Sequence, residues 1–143
     1  MKVRIKRIDK TLPLPMYKTP GAAAFDLILR ESAVVPPGET IKIPCNVVVE
    51  IPEGYMLQIV PRSSFPFKKP GLIQGNHSAI IDQDYCGPDD ELLWAVYNTT
   101  NKPIELERGV AYCQAAFVRI DKAEFEEVEE MEAKNRDGFG STD

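Results

Sequence analysis

At 143 residues the chain is long enough for one domain with a real core and too short for two ordinary ones. Its composition, 43% hydrophobic and 27% charged, is that of a soluble globular protein, and no apolar run approaches the ~18 residues of a membrane span. A net charge of −5 disfavours a nucleic-acid surface, which is normally basic, but allows a small anionic ligand in a pocket lined by local arginines or bridged by a divalent cation.

Twelve prolines and nine glycines predict many turns and short strands rather than long helices. Lys2 to Ile8 alternates apolar and charged residues, an edge-type strand; charges at Lys2 and Arg4 argue against an export signal and for a cytoplasmic protein, or a nuclear one in a eukaryote. Pro13, Pro15 and Pro20 lead irregularly into Ala22-Ala23-Ala24, where Pro20-Gly21 favours close backbone packing over helix. Asp26, an acid framed by Phe25 and Leu27, is either a partly exposed strand residue or a functional one. After the Pro36-Pro37-Gly38 turn, Thr40 to Ile51 reads as one Ile/Val-rich strand. Tyr55 to Val60 is another, ended by Pro61-Arg62-Ser63-Ser64, and Phe65 to Gly71 is a short helical turn or loop.

From Gly75 to Gly87 an apolar strand, Ala79-Ile80-Ile81, gives way abruptly to Asp82-Gln83-Asp84-Tyr85. The pattern predicts a hairpin with an acidic tip, Asp82 and Asp84 sharing one face; read alone it fits a solvated hairpin end better than a functional tip. Leu92 to Tyr97 reads as a strand buried on both faces, and Tyr112 to Ile120 as a strand carrying Gln114 among apolar neighbours. In Glu124 to Glu132, Phe125, Val128 and Met131 repeat at a helical period, but closely spaced acids oppose a helix and the segment reads as a strand running into an arm. Residues 134–143 cannot build a core. The expectation is one β domain over residues 1–133, a sandwich or barrel, with a flexible C-terminal arm over residues 134–143 closing over a site.

Three features supply donors suited to phosphate oxygens: Arg62-Ser63-Ser64 at a strand end, Gln114, and Arg136 with Gly138-Phe139-Gly140-Ser141-Thr142. There is no Gly-Lys-Ser/Thr phosphate loop, and His77, the sole histidine, has no nucleophile elbow to serve. Cys45, Cys86 and Cys113 form no CxxC pair and read as packing residues in a reducing compartment. Acid-rich, histidine-poor chemistry with phosphate donors points to carboxylate-activated water attacking a phosphoanhydride, aided by a divalent cation.

Five segments resemble, in order, the five motifs of the trimeric dUTPases: Gly21 to Leu27, Pro61 to Ser64, Gly75-Asn76 with Ile81 to Gly87, Arg108-Gly109 with Gln114, and Arg136 with Gly138 to Thr142. The resemblance implies a distorted jelly-roll or β-clip barrel, a homotrimer with shared active sites, and hydrolysis of dUTP to dUMP and pyrophosphate. It implies Mg²⁺ held by substrate phosphates and water without direct protein ligands, which suits an ion that keeps its waters. Asp82 matches the water-activating carboxylate, and Tyr85 the ring against the deoxyribose that leaves no room for a 2′-hydroxyl. Asn76 and the backbone up to Ile81 match the uracil reader. Arg62, Ser63, Ser64 and Gln114 match phosphate ligands, with Asp26 supporting the metal-bound phosphates. Phe139 would cap the base, and Arg136, Gly140, Ser141 and Thr142 would close on the terminal phosphate.

The chain departs from the family pattern at Ala79 and Ser64, each where glycine is usual, and at Ala111, where an arginine is common. The Pro88-Asp89-Asp90 tip is lengthened and the tail shortened. Arg-Ser-Ser also resembles the dCTP deaminases of the same fold, but their catalytic glutamate, three residues before the strand asparagine, is Ala95 here. A regulatory nucleotide-binding protein on this scaffold is the other alternative.

Overall fold

A computed structural model describes residues 1–135. Among them the elements run β1 (Ile5–Arg7), β2 (Phe25–Ile28), β3 (Ala33–Val35), β4 (Thr40–Pro44), β5 (Val47–Val49), β6 (Tyr55–Pro61), α1 (Phe65–Lys68), β7 (Leu72–Gln74), β8 (Ala79–Ile81), β9 (Leu93–Asn98), β10 (Ile104–Leu106) and β11 (Ala111–Arg119). A four-stranded sheet, ordered β2-β11-β6-β8, and a three-stranded sheet, β4-β9-β7, carry the core, flanked by the pairs β1-β5 and β3-β10. All pairings are antiparallel. The architecture is all-β of jelly-roll type, as the short, turn-punctuated strands predict.

The core forms where inward residues of both larger sheets meet: Leu27, Leu57, Ile59 and Ala115 from one, Ile43, Leu72, Trp94 and Val96 from the other. Two contacts lock the sheets together. Phe65, at the start of α1, lies edge-on to Trp94 at 4.9 Å and to Tyr112 at 6.2 Å, one ring on each sheet. Gln74 of β7 donates to the Ile59 carbonyl of β6 at 2.9 Å and accepts from the Trp94 indole N–H at 2.8 Å. A buried amide with these partners is satisfied, and leaving one of them unpaired would cost about 1–3 kcal/mol.

Several local expectations are corrected. The Thr40 to Ile51 strand divides, because Pro44 has no N–H and Asn46 takes φ 69° while its side chain bonds the backbone N–H and C=O of Asp9. β7 and β8 do not pair as a hairpin: β7 joins β9 and β8 joins β6, so the chain from Gly75 to Ser78 arches from one sheet to the other. β9 buries alternate residues, Trp94, Val96 and Asn98, rather than both faces. Ala22 to Ala24 bends at the surface, and a Cβ at Gly21 would meet nothing within 4 Å. Glu124 to Glu132 forms no strand, and Phe125 is 94% exposed, since its thin apolar face finds nothing to cover among the described residues.

Gly71 shows where backbone freedom is required. Its φ is +88°, its carbonyl accepts the Thr99 N–H at 2.8 Å, and a Cβ would fall 2.1 Å from Thr100 Cγ2. Gly71→Ala is expected to cost about 2–4 kcal/mol in urea denaturation, strain and overlap together. A loss under about 1 kcal/mol would show that the Thr99–Thr100 turn moves aside freely.

Candidate functional site

Arg62 and Gln114, two of the residues expected to meet phosphate, converge with Asp26 where β2, β11 and β6 meet. Register sets Gln114 of β11 opposite Asp26 of β2 on one side and Val60 of β6 on the other. Just past β6, Arg62 turns back onto this edge: its Nε lies 3.0 Å from Asp26 Oδ1, its Nη1 donates to the Ala111 carbonyl, and its N–H donates to the Tyr112 carbonyl. Gln114 donates to the Pro61 carbonyl at 3.3 Å. Ser63 is exposed and Ser64 half-buried at the α1 N-cap, where Ser64 makes no side-chain capping bond. Asp26 is not the partly exposed strand residue. Its side chain is 9% exposed, and Oδ2 has no hydrogen-bond donor among the described residues; Lys18 Nζ stands 3.8 Å away.

A second cluster lies along β8 and the turn after it. β8 is an edge strand, so one side pairs with β6 and the other offers its backbone groups outward. Gly75 donates to the Ala95 carbonyl, and a Cβ there would meet Thr40 Cγ2 at 3.0 Å, a close approach that sets the entry of the arch. Asn76 is exposed at its crest, and Ala79 buries its methyl in the core beside Ile59 rather than in a base pocket. Ile81 is half-buried and Asp82 exposed. Asp82 and Asp84 lie in a turn, closed by the Tyr85 N–H on the Asp82 carbonyl at 3.3 Å, and not on an extended strand.

Two tethers fix this turn. Gln83 donates to the Tyr55 carbonyl at 3.0 Å, tying it to the start of β6. The Tyr85 ring packs on the core and its hydroxyl donates to the Glu91 carbonyl at 3.0 Å. Burial pushes the Tyr85 phenol above its ordinary pKa, helped by the nearby charges of Asp90 and Glu91. Pro88 to Asp90 form a tip closed by the Gly87 N–H on Asp90 Oδ2 at 2.7 Å.

The two clusters sit at opposite ends of β6. Ile81 pairs with Leu57, so Asp82 falls beside the strand's start, whereas Arg62 follows its end. Five residues from Leu57 to Arg62 span about 17 Å. One chain thus brings together Asp26, Arg62 and Gln114, and separately Ile81, Asp82 and Tyr85, but not the two sets. Arg136, Phe139, Gly140, Ser141 and Thr142 lie outside the described residues. Gln74 and Gln83, which hold the arch and the turn, escaped the sequence reading; the signal that singles out Gln114, an amide among apolar strand residues, is equally present at Gln74.

The fold places the chain in the class of all-β jelly-roll proteins represented by solved dUTPases. A dUTPase of Staphylococcus phage 80alpha superposes with a TM-score of 0.83 at 25% identity, covering 99% of this chain and 98% of that one. The dUTPase from Streptococcus mutans gives 0.75 at 26% identity, covering 85% and 98%. The chain belongs to the dUTPase family, whose model matches residues 10–143. A deoxyuridine 5′-triphosphate nucleotidohydrolase of Shewanella loihica is 37% identical over 98% of this chain and 93% of the relative. One from Dictyoglomus turgidum is 36% identical over 99% and 98%.

The Tyr85 hydroxyl yields a pH test. Because its pKa is raised on folding, the unfolded chain loses this proton first; stability from the phenol is full below the ordinary tyrosine pKa and is lost as pH rises through the folded value. Tyr85→Phe should cost about 1 kcal/mol near neutral pH. That gap should hold up to about pH 9 and narrow as pH rises above about 10 in paired urea titrations, and a constant gap would show an unperturbed phenol.

Proposed function

We propose that this protein is a homotrimeric, cytoplasmic dUTP diphosphatase that hydrolyses dUTP to dUMP and pyrophosphate with Mg²⁺ at sites shared between subunits. The observation that carries the shared site is the placement of Asp82 and Arg62 at opposite ends of β6. Arg62 turns toward Asp26 of β2, while Asp82 follows β8 on the other side of β6 and about 17 Å back along it; a closed ring of copies sets unlike surfaces against each other and completes each site from two or more chains.

Within such a site Arg62, Ser63, Ser64 and Gln114 bind the phosphates, and Asp26 holds the Arg62 guanidinium in place from a buried position. The outward edge of β8, from Asn76 to Ile81, reads uracil through fixed backbone donors and acceptors. The Tyr85 ring, fixed by the bond from its hydroxyl to Glu91, packs against deoxyribose and excludes a 2′-hydroxyl. Asp82 accepts a proton from water as the water oxygen bonds to phosphorus; the anhydride bond breaks and pyrophosphate leaves. The arm over residues 134–143 closes the site, with Phe139 on the base and Arg136, Gly140, Ser141 and Thr142 on the terminal phosphate.

Among the described residues no group of three or more His, Cys, Asp or Glu could hold a metal ion. Asp26 Oδ2, buried without a donor, suits a hydrogen bond from a metal-bound water, so Asp26 would anchor Mg²⁺ held chiefly by triphosphate oxygens. The ion would supply charge neutralisation on those oxygens. A phage phi11 dUTPase of the same fold, 21% identical, is described with a coordinated structural Mg(II) ion. Deamination lacks its acid/base here, since Ala95 is a half-buried methyl whose carbonyl is occupied by Gly75 N–H.

Asp82→Asn should abolish pyrophosphate release from dUTP while nucleotide binding persists; tight binding without turnover in the wild type would instead make this a regulatory nucleotide-binding protein. Arg62→Ala should also be inactive. Unfolding and refolding the two inactive variants together in equal amounts should restore roughly a quarter of wild-type activity, the share of sites receiving both intact residues from different chains. No recovery would place Asp82 and Arg62 in one chain's site. Removing residues 136–143 should lower turnover sharply while leaving the melting temperature within a few degrees, roughly.

A further inference from the structure

We infer that Lys18 is a phosphate-binding residue of this site, converting the Arg62–Asp26 pair into a net-cationic cradle for the triphosphate; the inference rests on the function proposed above. Arg62 and Asp26, at 3.0 Å, neutralise each other, so by themselves they offer a polyphosphate donors but no net charge. Lys18 is the further cation at the pair, and with it the cluster carries one net positive charge.

Its geometry is not that of a mere counterion. Lys18 Nζ stops 3.8 Å from Asp26 Oδ2, beyond hydrogen-bond reach, and that oxygen has no donor among the described residues. The side chain is 58% exposed, and an ion pair that long and that open to water contributes little to stability. Its ammonium hydrogens are instead available to a ligand lying over the Arg62 edge.

The backbone that carries Lys18 is fixed. Tyr17 sets its ring edge-on to Phe25 at 5.6 Å, and Met16 accepts the Asp26 N–H through its carbonyl. The Ala22 N–H closes a turn on the Thr19 carbonyl, and Pro13, Pro15 and Pro20 restrict the approach. Residues 16–19 therefore run beside β2, and Lys18 is delivered to the carboxylate by packing on both sides of it in sequence.

The test compares wild type, Lys18→Ala and Lys18→Arg as full chains, by calorimetry with Mg²⁺. The probes are the imido analogue dUpNHpp, deoxyuridine and inorganic pyrophosphate. Lys18→Ala should weaken dUpNHpp and pyrophosphate about tenfold, leave deoxyuridine unchanged, and keep its melting temperature; Lys18→Arg should recover most of the loss. In turnover the alanine variant should raise KM for dUTP more than it lowers kcat. Unchanged pyrophosphate affinity, or equal weakening of deoxyuridine, would overturn the assignment and leave Lys18 a surface residue or a structural one. If the wild type fails to hydrolyse dUTP, the diphosphatase reading falls, while the pyrophosphate arm still decides Lys18.

Discussion

Strand β6 is the constraint on which the arrangement depends. It pairs with β11 along its whole length and with β8 through its middle, Leu57 to Ile59, so its seven residues fix where the segments on either side emerge. Just past its end, Arg62 keeps one bond to β11 and turns its side chain onto Asp26; near its start, Gln83 and Ile81 hold the Asp82 turn against Tyr55 and Leu57. A hydrogen-bonded strand does not shorten, so the separation between the Arg62–Asp26 edge and the carboxylate-bearing turn is a rigid property of the monomer.

The polar residues that keep this geometry are mostly not those that would meet a ligand. Gln74 joins the two sheets beneath the arch, Asn98 gathers the Val35 and Lys102 carbonyls, and Tyr85 ties the acidic turn to Glu91. Each is satisfied inside the fold, which leaves the exposed groups, Asn76, Asp82, Ser63 and Lys18, free of structural duty. The buried Asp26 stands between the two kinds: one oxygen is committed to Arg62 and the other has no hydrogen-bond donor.

Much was legible from local signals. Pro and Gly clusters marked the turns, so Tyr55 to Pro61 and Ala111 to Arg119 emerge within a residue or so of their expected bounds. Where the reading failed, a nonlocal partner decided. Thr40 to Ile51 has strand composition throughout, but Asn46 bends to reach Asp9, thirty-seven residues away. Ala79 to Ile81 looked like half of a hairpin because pattern shows that a strand exists and not what it pairs with; its partner is β6, not β7. The Glu124 to Glu132 segment had an apolar period but nothing among the described residues to bury it.

By itself, then, the sequence determined the inventory: an all-β chain, polar donor side chains at Arg62 to Ser64 and Gln114, an acid-bearing segment at Asp82, and the order of five family motifs. These follow from residue type and spacing, which are local. Only the tertiary structure decided which donors share an edge, that Asp26 is buried against Arg62 and Lys18, and that Asp82 stands at the far end of β6 from them. Those facts depend on strand pairing and register between distant segments, and no local pattern encodes a distance across a sheet.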